Sequence, residues 1–321
     1  MRTFVMMSGI ARSGKSTWVK QQAELFEREG KTVTICSSDA IREEMGMNQY
    51  NPQLNQKVFD TMLNRSIEGL KNTDVTFYDA TNLNNRKREI TIEAIRAAVV
   101  APFKVLHVFM LVEPEELFKR ATEHNFPHEV IMKQLKGFQS LGSVAYKELR
   151  ENKRSVQLVY DGENAKPVKY IETLKQKAKE FGQNNPYHRY TLYEHSHRLV
   201  YIAREHLKNS EHYNYFDYFG YGYSHDLGKL YTEVKRDDGY SSYPGHANVS
   251  AYIFMLAESM RSVVEENIFY ILEMSSLIQE HMNIKFAESE KALSRLKERL
   301  TSPNLLSILV QLALFDKIAQ R

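Results

Sequence analysis

The spacing of apolar and polar positions changes about halfway along the chain. In the first half, short apolar runs alternate with stretches in which apolar residues recur every three or four positions. The runs read as strands at Thr3–Ser8, Thr32–Ser37, Val75–Asp79, Lys104–Val112 and Val156–Tyr160. The periodic stretches read as helices at Lys15–Glu29, Pro52–Leu70, Arg86–Val99, Pro114–Glu123 and Glu129–Phe138. Strands alternating with helices predict a five-stranded parallel sheet covered on both faces, an α/β domain over residues 1–165. The polar loop Gly162–Pro167, a Lys-rich helix at Val168–Phe181 and the breakers Gly182 to Pro186 make 166–186 a linker helix and boundary. Beyond it the helical period dominates, so 187–321 is expected to be all-α.

Composition adds limits. With 42% apolar and 26% charged residues, 321 positions supply two cores. A net charge of +3 permits a nucleic-acid partner without arguing for one. Cys36 is the single cysteine, which excludes internal disulfides and a cysteine-based zinc site. It falls in an expected strand and reads as a small core residue. No apolar stretch is long enough to span a bilayer and no signal peptide precedes the first strand, so a cytoplasmic protein without a membrane partner is expected. Oligomeric state is left open. Three of the 11 histidines precede residue 180 and eight lie between His188 and His281, an imbalance that suggests two chemistries in succession.

The first chemistry lies at Gly9-Ile10-Ala11-Arg12-Ser13-Gly14-Lys15-Ser16-Thr17, a Gly-x-x-x-x-Gly-Lys-Ser pattern between a strand and a helix. Gly9 and Gly14 let backbone N–H groups, including those around Arg12, Ser13 and Thr17, approach phosphate oxygens at a helix N-terminus. Lys15 can reach the β- and γ-phosphates of ATP or another nucleoside triphosphate, and the Ser16 hydroxyl can bind Mg²⁺.

In a parallel sheet ligands bind beyond the carboxyl ends of the strands. After the second strand, Asp39 either accepts the proton of an attacking hydroxyl or caps the following helix. Arg42 would share its helical face and could hold a substrate phosphate. After the third strand, Asp79 is placed to orient metal-bound water, and Thr81, Asn82 and Asn84 form a polar turn. Arg86, Lys87 and Arg88 begin the next helix with three cations, where an anionic partner or a solvated basic turn are the two readings.

These motifs together resemble the 5′-kinase domain of phage-type polynucleotide kinases: Gly-x-x-x-x-Gly-Lys-Ser-Thr-Trp, then Ser-Asp-x-x-Arg, then Asp-Ala-Thr-Asn-Leu-Asn-x-Arg, over about residues 1 to 160. The resemblance implies that Lys15 and Ser16 hold ATP and metal, that Asp39 is the general base for a polynucleotide 5′-hydroxyl, and that Arg42 contacts the acceptor's phosphate. Phe118 to Ile131 is similar to the family's lid. Arg120 matches its first arginine, and His124 stands where a second is expected, which leaves charge stabilisation to Arg120 with Arg12 or Lys119.

In the second half, His195, the pair His225-Asp226, His246, His281 and Asp316 are spaced too widely for one metal loop. They suit ligands brought by several helices to one cavity. Imidazole and carboxylate favour Mn, Fe, Co, Ni or Zn over Ca. Adjacent His225 and Asp226 in a core-like helix would cost on the order of several kcal/mol if buried without partners, a cost that a metal removes. His188, His197, His206 and His212 read as surface or satisfied core residues. Of His195 and His197, helical spacing lets one face inward.

Tyr-Glu-His-Ser, His-Asp-Leu-Gly-Lys, Gly-His-Ala, Gln-Glu-His and Phe-Asp-Lys, over about 187 to 321, resemble the HD superfamily of metal-dependent phosphohydrolases. The resemblance implies one metal on His195, His225, Asp226 and Asp316, with His246 and His281 typical of members holding a second. Lys229 matches a lysine that approaches the scissile phosphate.

The combined expectation is a bifunctional end-healing enzyme acting on nucleic-acid ends, RNA more than DNA. It would be an ATP-dependent 5′-hydroxyl kinase joined to a 2′,3′-cyclic phosphodiesterase or 3′-phosphatase. The alternatives are a nucleoside or small-molecule kinase fused to a nucleotide phosphohydrolase, and a non-enzymatic nucleotide-gated binding module.

Overall fold

The computed structural model describes residues 1–47, 52–162, 166–186, 189–207, 220–261 and 264–320. Two compact units emerge. The first comprises Met1–Ile131 and Glu148–Asp161, the second Met132–Lys147 and Gly162–Arg321.

The first unit carries β1 (Arg2–Gly9), α1 (Lys15–Arg28), β2 (Val33–Ser37), α2 (Ser38–Glu44), α3 (Pro52–Asn72), β3 (Val75–Asp79), α4 (Asn85–Ala98), β4 (Phe103–Leu111) and α5 (Pro114–Glu123). Helices α6 (His128–Gly137) and α7 (Ser143–Arg150) each begin in one unit and end in the other, and β5 (Arg154–Tyr160) completes the sheet. The strand order is β2-β3-β1-β4-β5, every pairing parallel, as the alternation of runs predicts. Near-continuous apolar strands are what a sheet buried on both faces requires. Alternation along β1 divides the core. Phe4 and Met6 join Ile41, Val58, Met62, Ile92 and Ile95 on one face, whereas Val5 and Met7 join Val19 and Ala23 of α1 on the other. β1 runs between β3 and β4, so the loop leaving it opens at the carboxyl edge where such sheets bind ligands.

The second unit adds α8 (Pro167–Glu180), α9 (Leu192–Leu207), α10 (Tyr221–Ser224), α11 (Lys229–Thr232), α12 (His246–Ser259), α13 (Val264–Glu280), a 3-10 turn (Asn283–Phe286), α14 (Glu290–Arg299) and α15 (Leu305–Ala319). It is mostly helical, with one small antiparallel pair, β6 (Val234–Lys235) and β7 (Ser241–Ser242), that helical periodicity does not reveal. In α12, 12 of 14 residues are buried, the mark of a helix covered on every side.

The compact units depart from boundaries at 165 and 187. Residues 132–147 group with the second unit because Phe138 packs edge-on against Tyr252, Ser140 Oγ lies 2.7 Å from Ser275 Oγ, and Tyr146 packs on Phe269. α8 also belongs to the second unit. Among the described residues, no helix is long and apolar enough to cross a membrane.

Candidate functional sites

In the first unit, the loop between β1 and α1 closes on itself. Arg12 takes φ 68° and Gly14 φ 82°, left-handed values that turn the chain into α1. A side chain at Gly14 would also overlap the Asp161 carboxylate. Lys15 is buried, and its Nζ donates to Ile10 O at 2.8 Å. Burial lowers its pKa to about 8, against the opposing pull of Asp79 and Asp39. Ser16 Oγ donates to Asp79 Oδ2 at 2.6 Å, so the hydroxyl and carboxylate expected around Mg²⁺ are adjacent. Burial raises the Asp79 pKa, with Ser16 and Lys15 opposing.

Asp39 lies in the first turn of α2, where Ser37 and not Asp39 occupies the cap position. Its side chain is 84% exposed and meets Arg42 Nη1 at 2.7 Å. Arg42 Nη2 also donates to Asn55 Oδ1 at 3.1 Å. Asp39 is exposed and Arg42 half-buried.

Two expectations for the turn after β3 change. Asn82 takes φ 42° and gives its amide to Met7 O at 2.7 Å, while its own carbonyl accepts from Ser8 Oγ and Arg88 Nη1. Its amide and carbonyl brace the base of the loop. Arg88 is 1% exposed and donates to the carbonyls of Asn82 and Leu83, so the basic cluster presents Arg86 and Lys87 only. Burial lowers the Arg88 pKa to about 9. His107, fully buried on β4, sets its Nε2 2.9 Å from Ser8 Oγ. Burial first, and then Arg88 and Arg154, hold its pKa well below the usual imidazole value.

Arg120 of α5 reaches the loop. Nε donates to Glu116 Oε1 at 2.9 Å, Nη1 to Asp161 Oδ2 at 2.7 Å and to Arg12 O at 3.2 Å, and Nη2 to Asp161 O at 2.9 Å. No motif marks Asp161, although its place directly after β5 is the kind of position where such sheets carry function. His124 is exposed at the end of α5, and Phe126 lies under the Arg12 guanidinium at 5.1 Å.

In the second unit, five scattered segments converge. His195 comes from α9, His225 and Asp226 from the turn between α10 and α11, His246 from the start of α12, His281 from just past α13 and Asp316 from α15. All six are buried, none more than 6% exposed. His225-Asp226 sits on a turn and not within a helix. Gly228 explains the break: its N–H donates to Ser250 Oγ at 2.8 Å, and any side chain there would strike the His246 carbonyl. His195 faces inward and His197 is exposed. His206 is exposed too, and His188 and His212 lie outside the described residues.

Asp226 is the centre. Its Oδ2 lies 3.3 Å from His225 Nε2 and 3.7 Å from His195 Nε2, and its Oδ1 lies 3.1 Å from His246 Nε2 and 3.6 Å from His281 Nε2. Asp316 Oδ1 meets His195 Nε2 at 3.0 Å and His225 Nε2 at 3.7 Å. Two donor sets result, His195-His225-Asp226 and Asp226-His246-His281, each with ligand atoms within 4.8 Å of one another. Lys229 Nζ donates to Asp226 Oδ2 at 2.6 Å, and Lys285 Nζ to Asp316 Oδ2 at 3.0 Å.

The ring orientations test whether these residues suit a metal. Nδ1 of His246 faces Tyr243 O at 2.8 Å, and Nδ1 of His281 faces Ile278 O at 2.6 Å. A carbonyl only accepts, so each Nδ1 carries a hydrogen and each ring turns its Nε2 inward, the atom left to bind a metal. Those two Nε2 atoms stand 3.1 Å apart, facing each other and the carboxylate. His225 Nδ1 likewise faces the carbonyls of Tyr221 and Gly222, while its Nε2 lies between Asp226 Oδ2 at 3.3 Å and Asp316 Oδ1 at 3.7 Å. Converging acceptors of this kind repel unless a cation lies among them, and backbone carbonyls are the usual outer partners of metal-binding imidazoles. The donor set fits a divalent transition metal.

The charges agree. Burial pushes the Asp226 carboxyl up, but Lys229 and His225 outweigh it and hold the pKa well below the carboxylate range. Burial acts the same way on Asp316, where His195, His225 and Lys285 prevail. Burial pulls His281 down to about 4, although Asp226 opposes it.

Among known families, a model described as an AAA domain matches residues 4–141. No curated protein matches the chain. Similar solved structures include a Pnkp1/Rnl/Hen1 complex at 23% identity, covering 37% of this chain and 38% of that one, with a TM-score of 0.31. A putative kinase from Chloroflexus aurantiacus is 13% identical over 39% of this chain and 66% of its own, with a TM-score of 0.33. A gluconokinase from Sinorhizobium meliloti is 14% identical over 50% and 86%, with a TM-score of 0.33. The chain thus spans less than two thirds of the first two, and TM-scores this low decide neither fold nor activity. Residues 4–141 carry the AAA-type match, and the five-stranded parallel sheet around the phosphate loop fits a P-loop kinase fold.

Proposed function

We propose that this chain repairs both ends of a broken nucleic acid, RNA in preference to DNA, with one unit adding phosphate and the other opening phosphoesters. The observation that carries the reading is the buried convergence of four imidazoles and two carboxylates on Asp226, in the same chain as an intact phosphate loop. The motif resemblances to polynucleotide 5′-kinases and to HD phosphohydrolases support it. A cytoplasmic setting belongs to the same proposal, since ATP is the phosphate donor.

In the kinase step, the loop N–H groups and Lys15 would hold the β- and γ-phosphates, and Ser16 with Asp79 would hold Mg²⁺, which supplies charge neutralisation. Asp39 accepts the proton of the 5′-hydroxyl as its oxygen bonds to the γ-phosphorus and the bond to the β-bridging oxygen breaks. Arg42 holds the acceptor's phosphate and Arg120 neutralises charge on the transferred group. In the hydrolytic step, His195, His225, Asp226 and Asp316 would hold one divalent metal, and Asp226, His246 and His281 a second. Such metals supply Lewis acidity and hydroxide at neutral pH. Lys229 stands beside Asp226 to hold a phosphoryl oxygen. Mn, Ni, Co, Fe and Zn are the candidates.

A second reading keeps the kinase but gives it a nucleoside or other small acceptor. The inward turn of Arg88 favours it, because fewer cations remain for an extended polyanion. The test uses RNA bearing a 5′-hydroxyl and a 2′,3′-cyclic phosphate, beside a free nucleoside. Lys15→Ala is expected to lose 5′-phosphorylation and keep phosphodiester opening, and His225→Ala the reverse. Loss of both activities in either folded variant would refute the division of labour. Preferential phosphorylation of the nucleoside would select the second reading.

A further inference from the structure

We infer that Gln183 is a substrate-binding residue of the His–Asp cage, donating a hydrogen bond from Nε2 to a phosphoryl oxygen beside Lys229. This rests on the proposed reading of the cage as a phosphoester hydrolase.

Gln183 lies in the turn after α8, and its backbone is pinned from two sides. Leu192 N donates to Phe181 O at 3.0 Å, and Gly182 pairs with Thr191 ahead of α9. On the other side Ser241 N donates to Asn184 O at 2.6 Å, and Asn184 Nδ2 donates to Gly239 O at 2.9 Å. A side chain leaving so fixed a turn has a defined direction.

That side chain is 4% exposed, and its Oε1 accepts from Lys229 Nζ at 2.7 Å. An ammonium can only donate, so the amide oxygen must face Lys229 and the NH₂ must face away from it. Nε2 is buried and has no hydrogen-bond partner among the described residues. Native proteins rarely leave a buried amide donor unsatisfied, because it has lost water and gained nothing.

The surroundings select the partner. Lys229 Nζ bridges Gln183 Oε1 and Asp226 Oδ2, which puts the amide one ammonium away from the cage. The ligand groups are imidazoles and carboxylates, whereas Lys229 sets an ammonium beside Asp226 and Gln183 holds that ammonium, its own amide donor left over. An amide N–H beside an ammonium matches the anionic oxygens of a phosphoester. Glutamine also suits the position better than glutamate, which would pair with Lys229 and cancel the charge that attracts the anion.

The test uses full-length protein loaded with Mn²⁺, in wild-type, Gln183→Leu and Gln183→Glu forms. Three quantities are measured: bound metal by elemental analysis, affinity for inorganic phosphate by titration calorimetry, and KM and kcat for bis(p-nitrophenyl) phosphate. The inference expects unchanged metal content in Gln183→Leu, with phosphate affinity about tenfold weaker and KM raised by a similar factor. Gln183→Glu should bind phosphate more weakly still. If Gln183→Leu does not fold, Gln183→Asn, which withdraws the amide by one methylene, carries the same readouts. Phosphate affinity within about twofold of wild type in a metal-loaded variant would overturn the role of Gln183 and leave the hydrolase reading standing. Wild-type protein that takes up no metal would overturn both.

Discussion

The phosphate loop and the histidine cage solve the burial of polar groups in opposite ways. In the loop the charged and hydroxyl side chains are satisfied by neighbours: Lys15 by Ile10 O, Ser16 by Asp79, Arg120 by Asp161 and Glu116. A nucleotide binds there by exchange, replacing internal bonds with its own, so specificity depends on the balance between two satisfied sets. In the cage the groups at the centre are mostly acceptors facing acceptors, as with the two Nε2 atoms of His246 and His281 at 3.1 Å. A cation bound there would fill the space among them and stabilise the protein as it did so. One site is tuned by competition and the other by demand.

The sharpest way to break that contrast is at Asp226, the one residue common to both donor sets. Asp226→Asn is expected to abolish transition-metal uptake and lower phosphodiester hydrolysis by about 10³-fold or more. Its 5′-phosphorylation should stay within about twofold of wild type, since the loop shares none of these groups. Elemental analysis with parallel end-group assays checks both halves of the claim, and retained metal would contradict it.

Gly14 probes the satisfied site. Its φ of 82° and the Asp161 carboxylate packed against it leave no room for a methyl group. Gly14→Ala should cost about 2 kcal/mol of stability in the first unit and abolish detectable nucleotide binding. Denaturant unfolding with nucleotide titration measures both, and wild-type stability would show the loop to be pliable.

His107 sharpens the comparison through pH, from its buried place on β4 beside Ser8. Its folded pKa is depressed by burial, so below the unfolded value near 6.5 the unfolded chain takes up a proton that the folded chain refuses. Stability is therefore complete above pH 6.5 and drains by about 1.4 kcal/mol per unit as pH falls toward the folded pKa. His107→Gln should flatten that part of the profile relative to wild type, and parallel profiles would mean that His107 charges in place.

The smallest expected effect lies at Asp161. Its pairing with Arg120 is partly exposed, with side chains 42% and 23% accessible, and such pairs are worth little individually. Asp161→Asn should release Arg120 toward the nucleotide and lower the KM for ATP about two- to threefold. A raised KM would instead make Asp161 a group that the nucleotide needs.

The same contrast explains what the sequence disclosed. The loop's chemistry lies within nine consecutive residues, and the alternation of strands and helices around it is a local signal, so the sheet and the Lys15-Ser16 pair were readable. The six cage residues were readable because histidine and aspartate are conspicuous in an apolar helical half. What stayed hidden depends on contacts between distant backbone groups. Asn82 and Arg88 look like solvent-facing turn residues until Met7 O, Asn82 O and Leu83 O claim them. The turn at His225-Asp226 depends on where α12 crosses Gly228, and the assignment of 132–147 to the second unit depends on Phe138, Ser140 and Tyr146 meeting α12 and α13. Gln183 reads as one polar residue in a stretch of helix breakers, and only the fixed direction of its amide distinguishes it.

The most direct measurement is an anomalous-difference map from crystals of the full-length protein grown with Mn²⁺. The account expects one or two peaks touching the Asp226 carboxylate, one flanked by His195, His225 and Asp316 and the other by His246 and His281. A map with no peak among these groups, in crystals where the six side chains are ordered and Mn²⁺ is present in solution, would contradict it.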